Sequence, residues 1–331
     1  MKGDRSKNMA QLTQDAPMQL FALNGNRPLA EKIAQHMGIP LSKTTIQHFA
    51  DGEIQVNIVE SVRGAEAYVI QPTSDPVNEN FMELMIMVDA LRRASAKSIN
   101  VVMPYYGYSR ADRKARSREP ITAKLVANLL SMDGIDRLIA LDLHADQLQG
   151  FFDIPVDHLR AMPIQAKYLM DHNIKGHDVV VVAPQHSNVK DARKLAEFLD
   201  SPIAIVDKRA SGKTYVIGDV EGKTCVILDD MIDTGNRVVY TTEALKDAGA
   251  KDIYACATHA IFSAGATDRL KAEPLKKIIV TDSIQIPEDK QLDNLVQLSV
   301  AQLFAAAIER IHSNRSVDDL FKLPKDYTME G

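Results

Sequence analysis

From residue 18 onward the chain alternates short apolar runs with amphipathic stretches of helical period, and few folds accommodate that order. The runs MQLFALN (18–24), AYVIQ (67–71), INVVMP (99–104), RLIALDL (137–143), DVVVVAP (178–184), IAIVD (203–207), CVILDD (225–230), IYACATH (253–259) and KIIVTDS (277–283) read as strands. Most lack the in-out alternation of a half-solvated strand, as expected of parallel strands covered on both faces. Between them the pattern predicts helices over Leu29 to Met37, Asn78 to Ala96, Thr122 to Met132, Val189 to Leu199 and Val238 to Ala248. Gly38, Gly134 and Gly249 stand where C-caps would fall. Strand-helix alternation of this kind specifies a doubly wound α/β architecture.

At 331 residues, a prior of roughly 150 residues per domain suggests two domains. VVMPYYGYSRADRKAR (101–116) and VVAPQHSNVKDARKLA (181–196) share a Val-Val-x-Pro start and a later Arg-Lys pair, which fits two related halves. The boundary is expected near Leu159 to Ala166, between a first domain over 18–160 and a second over 161–299. A last helix, about 300–315, can pack back on the first half. Residues 1–17 are polar without the apolar centre of a signal peptide and read as a disordered extension, and 316–331 as a polar tail. No apolar stretch approaches the roughly 20 residues of a membrane span, so the expected setting is cytoplasmic with no membrane partner. A net charge of −5 without a basic stripe argues against a nucleic-acid partner. Cys225 and Cys256 are too few for a disulfide framework and lie in strand-like runs, where small buried hydrophobes are expected.

The segment CVILDDMIDTGNRVVYTTEAL (225–245) carries the clearest chemistry. A buried strand ends in Asp229 and Asp230; Asp233, Thr234 and Gly235 then form a tight loop before a helix. Carboxyl ends of parallel strands are where open α/β sheets bind ligands. Backbone N–H groups at a helix start suit a phosphate, and the neighbouring acids suit sugar hydroxyls. A capped helix with solvated acids is the plainer alternative.

Asp229-Asp230-Met231-Ile232-Asp233-Thr234-Gly235 resembles the phosphoribosyl-pyrophosphate loop of the type I phosphoribosyltransferase fold, shared by phosphoribosyltransferases and ribose-phosphate pyrophosphokinase. The stretches 49–64, 82–130 and 142–157 separate these two, because all three resemble the pyrophosphokinase family. The resemblance implies two similar α/β domains of that fold, each a mainly parallel sheet flanked by helices. It implies transfer of pyrophosphate from ATP to ribose 5-phosphate with Mg2+, in a homo-oligomer, commonly a hexamer, regulated by phosphate and nucleotide such as ADP.

Residue by residue, Phe49, Asp51, Gly52 and Glu53 match the family's adenine loop, while Arg110, Ala111, Asp112 and Arg113 match its contacts to ATP. Asp142 and His144 alternate at a strand end, so both side chains are expected to face the same way, toward Mg2+. Lys208 and Arg209 match the start of the catalytic loop, whose cations stabilise developing phosphoryl charge. Asp229, Asp230 and Asp233 match the sugar-hydroxyl acids, and Thr234, Gly235, Asn236 and Arg237 the 5-phosphate seat.

The departures lie mostly in the second half. Gln185 stands where the family has a metal-binding acid, Ala210 where a further Arg is expected, and Asn236-Arg237 where Gly-Thr is usual; Ala111 replaces a common Gln. A direct contact from Arg237 to phosphate can substitute for the lost hydroxyl. An alternative reading is a weakened paralogue that regulates a competent synthetase.

Overall fold

The computed structural model describes residues 16–209 and 212–323. Ala210, most of the extension before residue 16 and the end of the tail lie outside the described residues.

The first sheet contains β1 (Met18–Ala22), β4 (Glu66–Ile70), β5 (Ser98–Met103), β6 (Arg137–Leu141) and β7 (Val156–Leu159), all parallel and in that spatial order. A separate antiparallel hairpin, β2 (Thr44–His48) and β3 (Ile54–Ile58), is inserted before β4. The second sheet has the order β10-β9-β8-β11-β12-β13-β14. Its strands are β8 (Val179–Ala183), β9 (Ile203–Lys208), β10 (Thr214–Ile217), β11 (Thr224–Ile232), β12 (Asp252–Ala260), β13 (Leu275–Thr281) and β14 (Leu295–Leu298), with only the β9–β10 pair antiparallel. The α/β architecture of two mainly parallel sheets is therefore as the apolar runs foretell.

Helices fill the space on both faces of each sheet. Helices α1 (Arg27–Met37), α4 (Met162–Asp171), α5 (Val189–Leu199) and α8 (Ala301–His312) form a middle layer between the two sheets. One core runs through that layer, from Leu20 and Ile139 on the first sheet to Val181 and Cys256 on the second. Helix α8 packs on α1, with Phe304 and Ile308 in the same cluster as Leu29 and Ile33. Helices α2 (Val77–Arg93) and α3 (Thr122–Asp133) cover the outer face of the first sheet; α6 (Asn236–Asp247) and α7 (Ala266–Lys271) cover that of the second. Helix α1 shows how locally these ends are written: Asn26 accepts the Leu29 N–H at its start, and Gly38 ends it at φ 65.

Residues 159–166, expected to hold the boundary, are the end of β7 and the first turn of α4, both packed into the shared core. The seam between the halves is thus a packed surface. Cys225 and Cys256 are buried in β11 and β12. Among the described residues, no helix is long and apolar enough to cross a membrane.

Candidate active site

The second sheet reverses its strand order between β8 and β11, and a crevice opens at their carboxyl ends, the usual ligand position in such sheets. A cleft of about 670 Å³ lies there, lined from the first sheet by Asp112, Arg113, Asp142 and His144 and from the second by Gln185, Asn188, Asp229 and Asp230. A smaller recess of about 140 Å³ adjoins it, formed by residues 229–235 with Arg110, His144, Arg237 and Val238. The structure thus gathers Arg110, His144, Arg237 and the loop acids at one place.

Two of the contacts that join the halves meet at this recess. His144 Nδ1 lies 2.5 Å from Asp230 Oδ2, and Arg110 Nη1 donates to Asp233 Oδ2 at 2.5 Å. The Asp230 hydrogen bond raises the His144 pKa against the opposing effect of burial. Reciprocally, burial pushes Asp230 up, but His144, Asp229 and His259 together outweigh it and hold that carboxyl at about 2. Asp233 is also lowered: burial opposes ionisation, and hydrogen bonds from Ser263 and Arg110 overcome it.

Asp229 is buried and accepts from Arg237, from Asn188 Nδ2 at 3.0 Å and from the Asp230 N–H at 3.0 Å. Arg237 therefore faces Asp229, three residues before the end of β11 at Ile232, where the sequence suggests a direct phosphate contact. The reason is proximity: the first turn of α6 folds back over that strand end, and a buried carboxylate needs a partner. Gly235 enters α6 at φ 78, a left-handed conformation open to glycine. Arg269 Nε donates to the Thr234 carbonyl at 2.8 Å and braces the same loop.

Asp142 and His144 do not face together as strand neighbours. Strand β6 stops at Leu141 and Asp142 has φ 37, so period-two alternation no longer applies. The Asp142 carboxylate accepts from Thr258 Oγ1 at 2.7 Å, the Ala161 N–H at 3.0 Å and Arg160 at 3.4 Å. Gln185 donates to Ser187 Oγ at 2.7 Å, which leaves its carbonyl oxygen for another partner. Among the described residues, no three His, Cys, Asp or Glu side chains converge as a metal-holding group. Any metal here would depend on ligands from bound phosphates, which suits Mg2+ with its one or two protein ligands and retained waters.

The remaining expected residues lie away from this cleft. Phe49, Asp51, Gly52 and Glu53 form the β2–β3 turn, closed by the Phe49 N–H to the Glu53 carbonyl at 2.8 Å, and do not line it. Lys208 and Arg209 stand at the β9–β10 turn, over the rings of Tyr240 at 4.2 Å and Tyr215 at 4.8 Å respectively. Ala111 faces a neighbouring cavity with Tyr105 and Tyr108. Sequence reasoning missed Arg160, Asn188, Lys190 and Thr258, all on the cleft wall. Thr258 carried one signal, a polar residue at the end of an apolar strand run.

Comparison with known proteins points to one family. The model of the N-terminal domain of ribose phosphate pyrophosphokinase matches residues 18–134, and that of the phosphoribosyl synthetase-associated domain matches 175–322. The chain is 56% identical over 313 residues to ribose-phosphate pyrophosphokinase 2 of Enterococcus faecalis, covering 93% of this chain and 97% of that one. It is 58% identical to a putative ribose-phosphate pyrophosphokinase 2 of Lactiplantibacillus plantarum, with 92% and 97% covered. The crystal structure of phosphoribosylpyrophosphate synthetase from Mycobacterium smegmatis superposes with a TM-score of 0.87 at 42% identity, covering 90% of this chain and 99% of that one.

Proposed function

The chain belongs to the ribose-phosphate pyrophosphokinase family, and we propose how its own residues divide the work of that reaction. The activity moves the pyrophosphoryl group of ATP to O1 of ribose 5-phosphate. The anomeric oxygen bonds to the β-phosphorus, and the bond from that phosphorus to the bridging α-phosphate oxygen breaks. AMP leaves with the bridging oxygen, the hydroxyl proton passes to water, and phosphoribosyl pyrophosphate remains. Positioning and charge carry such a transfer.

The single observation behind the assignment is the meeting of His144 and Arg110, from the first sheet, with Asp230 and Asp233 of the second. Residues 18–160 then form the nucleotide side and 161–299 the ribose-phosphate side. Asp230 and Asp233 hold the sugar hydroxyls together with Asp229, whose charge Arg237 balances. Thr234, Gly235 and Asn236 offer the start of α6 to the 5-phosphate. Arg110, Asp112 and Arg113 serve the ATP phosphates from the cleft wall, with Ala111 beside them. Phe49, Asp51, Gly52 and Glu53 are assigned to adenine on family resemblance. Lys208 and Arg209 are assigned to the transferring group; Lys208 lies against Tyr240, one helical turn from Arg237.

Mg2+ fits here in a limited way, with His144 Nε2 and the Gln185 carbonyl oxygen as the groups that would hold it beside the nucleotide. When bound, it neutralises polyphosphate charge. The Asp230 contact at Nδ1 orients the ring for that purpose. A cytoplasmic homo-oligomer, hexameric and responsive to phosphate and ADP, completes the proposal and is tested by sedimentation with and without these ligands.

Purified protein given ATP, Mg2+ and ribose 5-phosphate should release AMP and phosphoribosyl pyrophosphate in equal amounts. Lys208→Ala should slow this by on the order of a hundredfold. Calorimetric ATP binding without any AMP release would overturn the reading.

A further inference from the structure

The Asp142 carboxylate, the Asp142 carbonyl and the Leu143 N–H, in the turn that carries His144 toward the second sheet, are engaged by residues with no obvious part in the chemistry. The Asp142 carboxylate accepts the Thr258 hydroxyl at 2.7 Å, the Ala161 N–H at 3.0 Å and Arg160 at 3.4 Å. The Asp142 carbonyl, which can only accept, lies 3.1 Å from His259 Nε2. Nε2 therefore carries the proton, and His259 Nδ1 accepts from Ser283 Oγ at 2.9 Å. Next along the chain, the Leu143 N–H donates to His158 Nε2 at 2.8 Å. His259 and Thr258 are buried, at 1% and 4% exposure, so these bonds form without competition from water.

The geometry of the second sheet explains why the arrangement bears on the site. Strands β11 and β12 pair Asp229 with Ala257 and Met231 with His259, which sets Thr258 beside Asp230 on the adjacent strand. One turn thus grips two neighbouring strands: Asp142 holds Thr258, and His144 reaches Asp230 at 2.5 Å. Asp142 adopts φ 37, a conformation that non-glycine residues take uncommonly and Asp more readily than most. The turn is held there by its partners.

We propose that Asp142 is a positioning residue that clamps the end of β6 to β12 through Thr258 and His259, and so fixes His144 against Asp230, and that it is not a ligand of the metal. The proposal rests on the pyrophosphokinase reading for its catalytic consequence, while the clamp itself is measurable without turnover.

Thr258→Val keeps the shape and removes the hydroxyl. It should lower kcat about tenfold to a hundredfold, the scale of a small misplacement of reacting groups. The KM for ribose 5-phosphate and calorimetric ATP affinity without Mg2+ should stay unchanged, while the Mg2+ concentration for half activity rises with the misplaced His144. Thr258→Ser, which restores the hydroxyl, should restore kcat. Asp142→Asn combined with Thr258→Val should cost no more than the worse single change, because both remove one interaction. Hydrogen exchange at the Leu143 amide, read without substrate, should quicken in Thr258→Val whether or not the wild type releases AMP. Unchanged protection of that amide, or wild-type kcat in Thr258→Val, overturns the clamp. So does a Mg2+ requirement raised well beyond that of Thr258→Val in Asp142→Asn, which would mark the carboxylate as a ligand.

Discussion

Arg237 places one guanidinium nitrogen 2.9 and 2.8 Å from the two carboxylate oxygens of Asp229, across a single turn from loop to helix. The acid, three residues before the end of β11, is almost wholly buried, while its partner is about a third exposed. Removing the cation leaves a buried carboxylate with amide donors alone, and fully buried pairs broken in this way cost about 3–5 kcal/mol. With Arg237 partly solvated, Arg237→Ala should cost about 2 kcal/mol, scaled down from that range. Urea unfolding checks the figure, and the KM for ribose 5-phosphate should rise in the same variant.

Glu83 lies on α2 at 1% exposure and accepts from the Asn24 N–H, Asn24 Nδ2, Gln71 Nε2 and His48 Nε2. His48 closes the β2 strand, so this carboxylate fastens the hairpin to the first sheet. Glu83→Ala strands the buried Gln71 amide, while Asn24 and His48 can turn to water, and should cost about 1–3 kcal/mol. Thermal unfolding reads the loss, and hydrogen exchange should show the hairpin opening ahead of the rest.

Asp146 receives hydrogen bonds from Lys190 on α5 and from Arg160, and these, led by Lys190, hold its pKa below the ordinary aspartate range. A depressed carboxyl stabilises the fold wherever the unfolded group would be ionised, above about pH 3.9. That contribution is lost as pH falls through the lower folded value. Stability of the wild type should therefore fall more steeply than that of Asp146→Asn as pH drops below about 4. Urea midpoints taken down that range test the sign; parallel curves would contradict it.

Gly235 enters α6 at φ 78, and a Cβ there would meet the Ala266 carbonyl oxygen and Leu270 at 3.4 Å. Gly235→Ala should cost about 1–2 kcal/mol from left-handed strain. The loop it reshapes is the proposed phosphate seat, so the KM for ribose 5-phosphate should rise while ATP affinity by calorimetry stays the same.

The nine apolar runs all became strands, because a strand covered on both faces must be apolar throughout and so is visible without context. Strands β2, β3 and β10 escaped the same criterion because each exposes one face, which gives the alternating burial of Ile54–Ile58 and Thr214–Ile217. Strand β7 carries Asp157 and His158 within its four residues, and its His158 is satisfied by the Leu143 N–H and by Gln149 Nε2, both from the neighbouring connection. Helix α4 was hidden for a different reason: it begins where the domain boundary was expected, and both sheets bury it.

The site divides along the same line. Asp229, Asp230 and Asp233 are contiguous on one strand-loop-helix unit, so local order alone brings them together. The sequence by itself determined the two-sheet α/β architecture, the acidic loop and the paired cations Arg110-Arg113 and Lys208-Arg209. The tertiary structure alone decided which of these groups meet. It sets Arg237 on Asp229 and turns Asp142 away from a shared face with His144 onto Thr258, 116 positions away. A hydrogen bond requires its partners within about 3 Å, and that distance depends on how two sheets pack across a layer of helices.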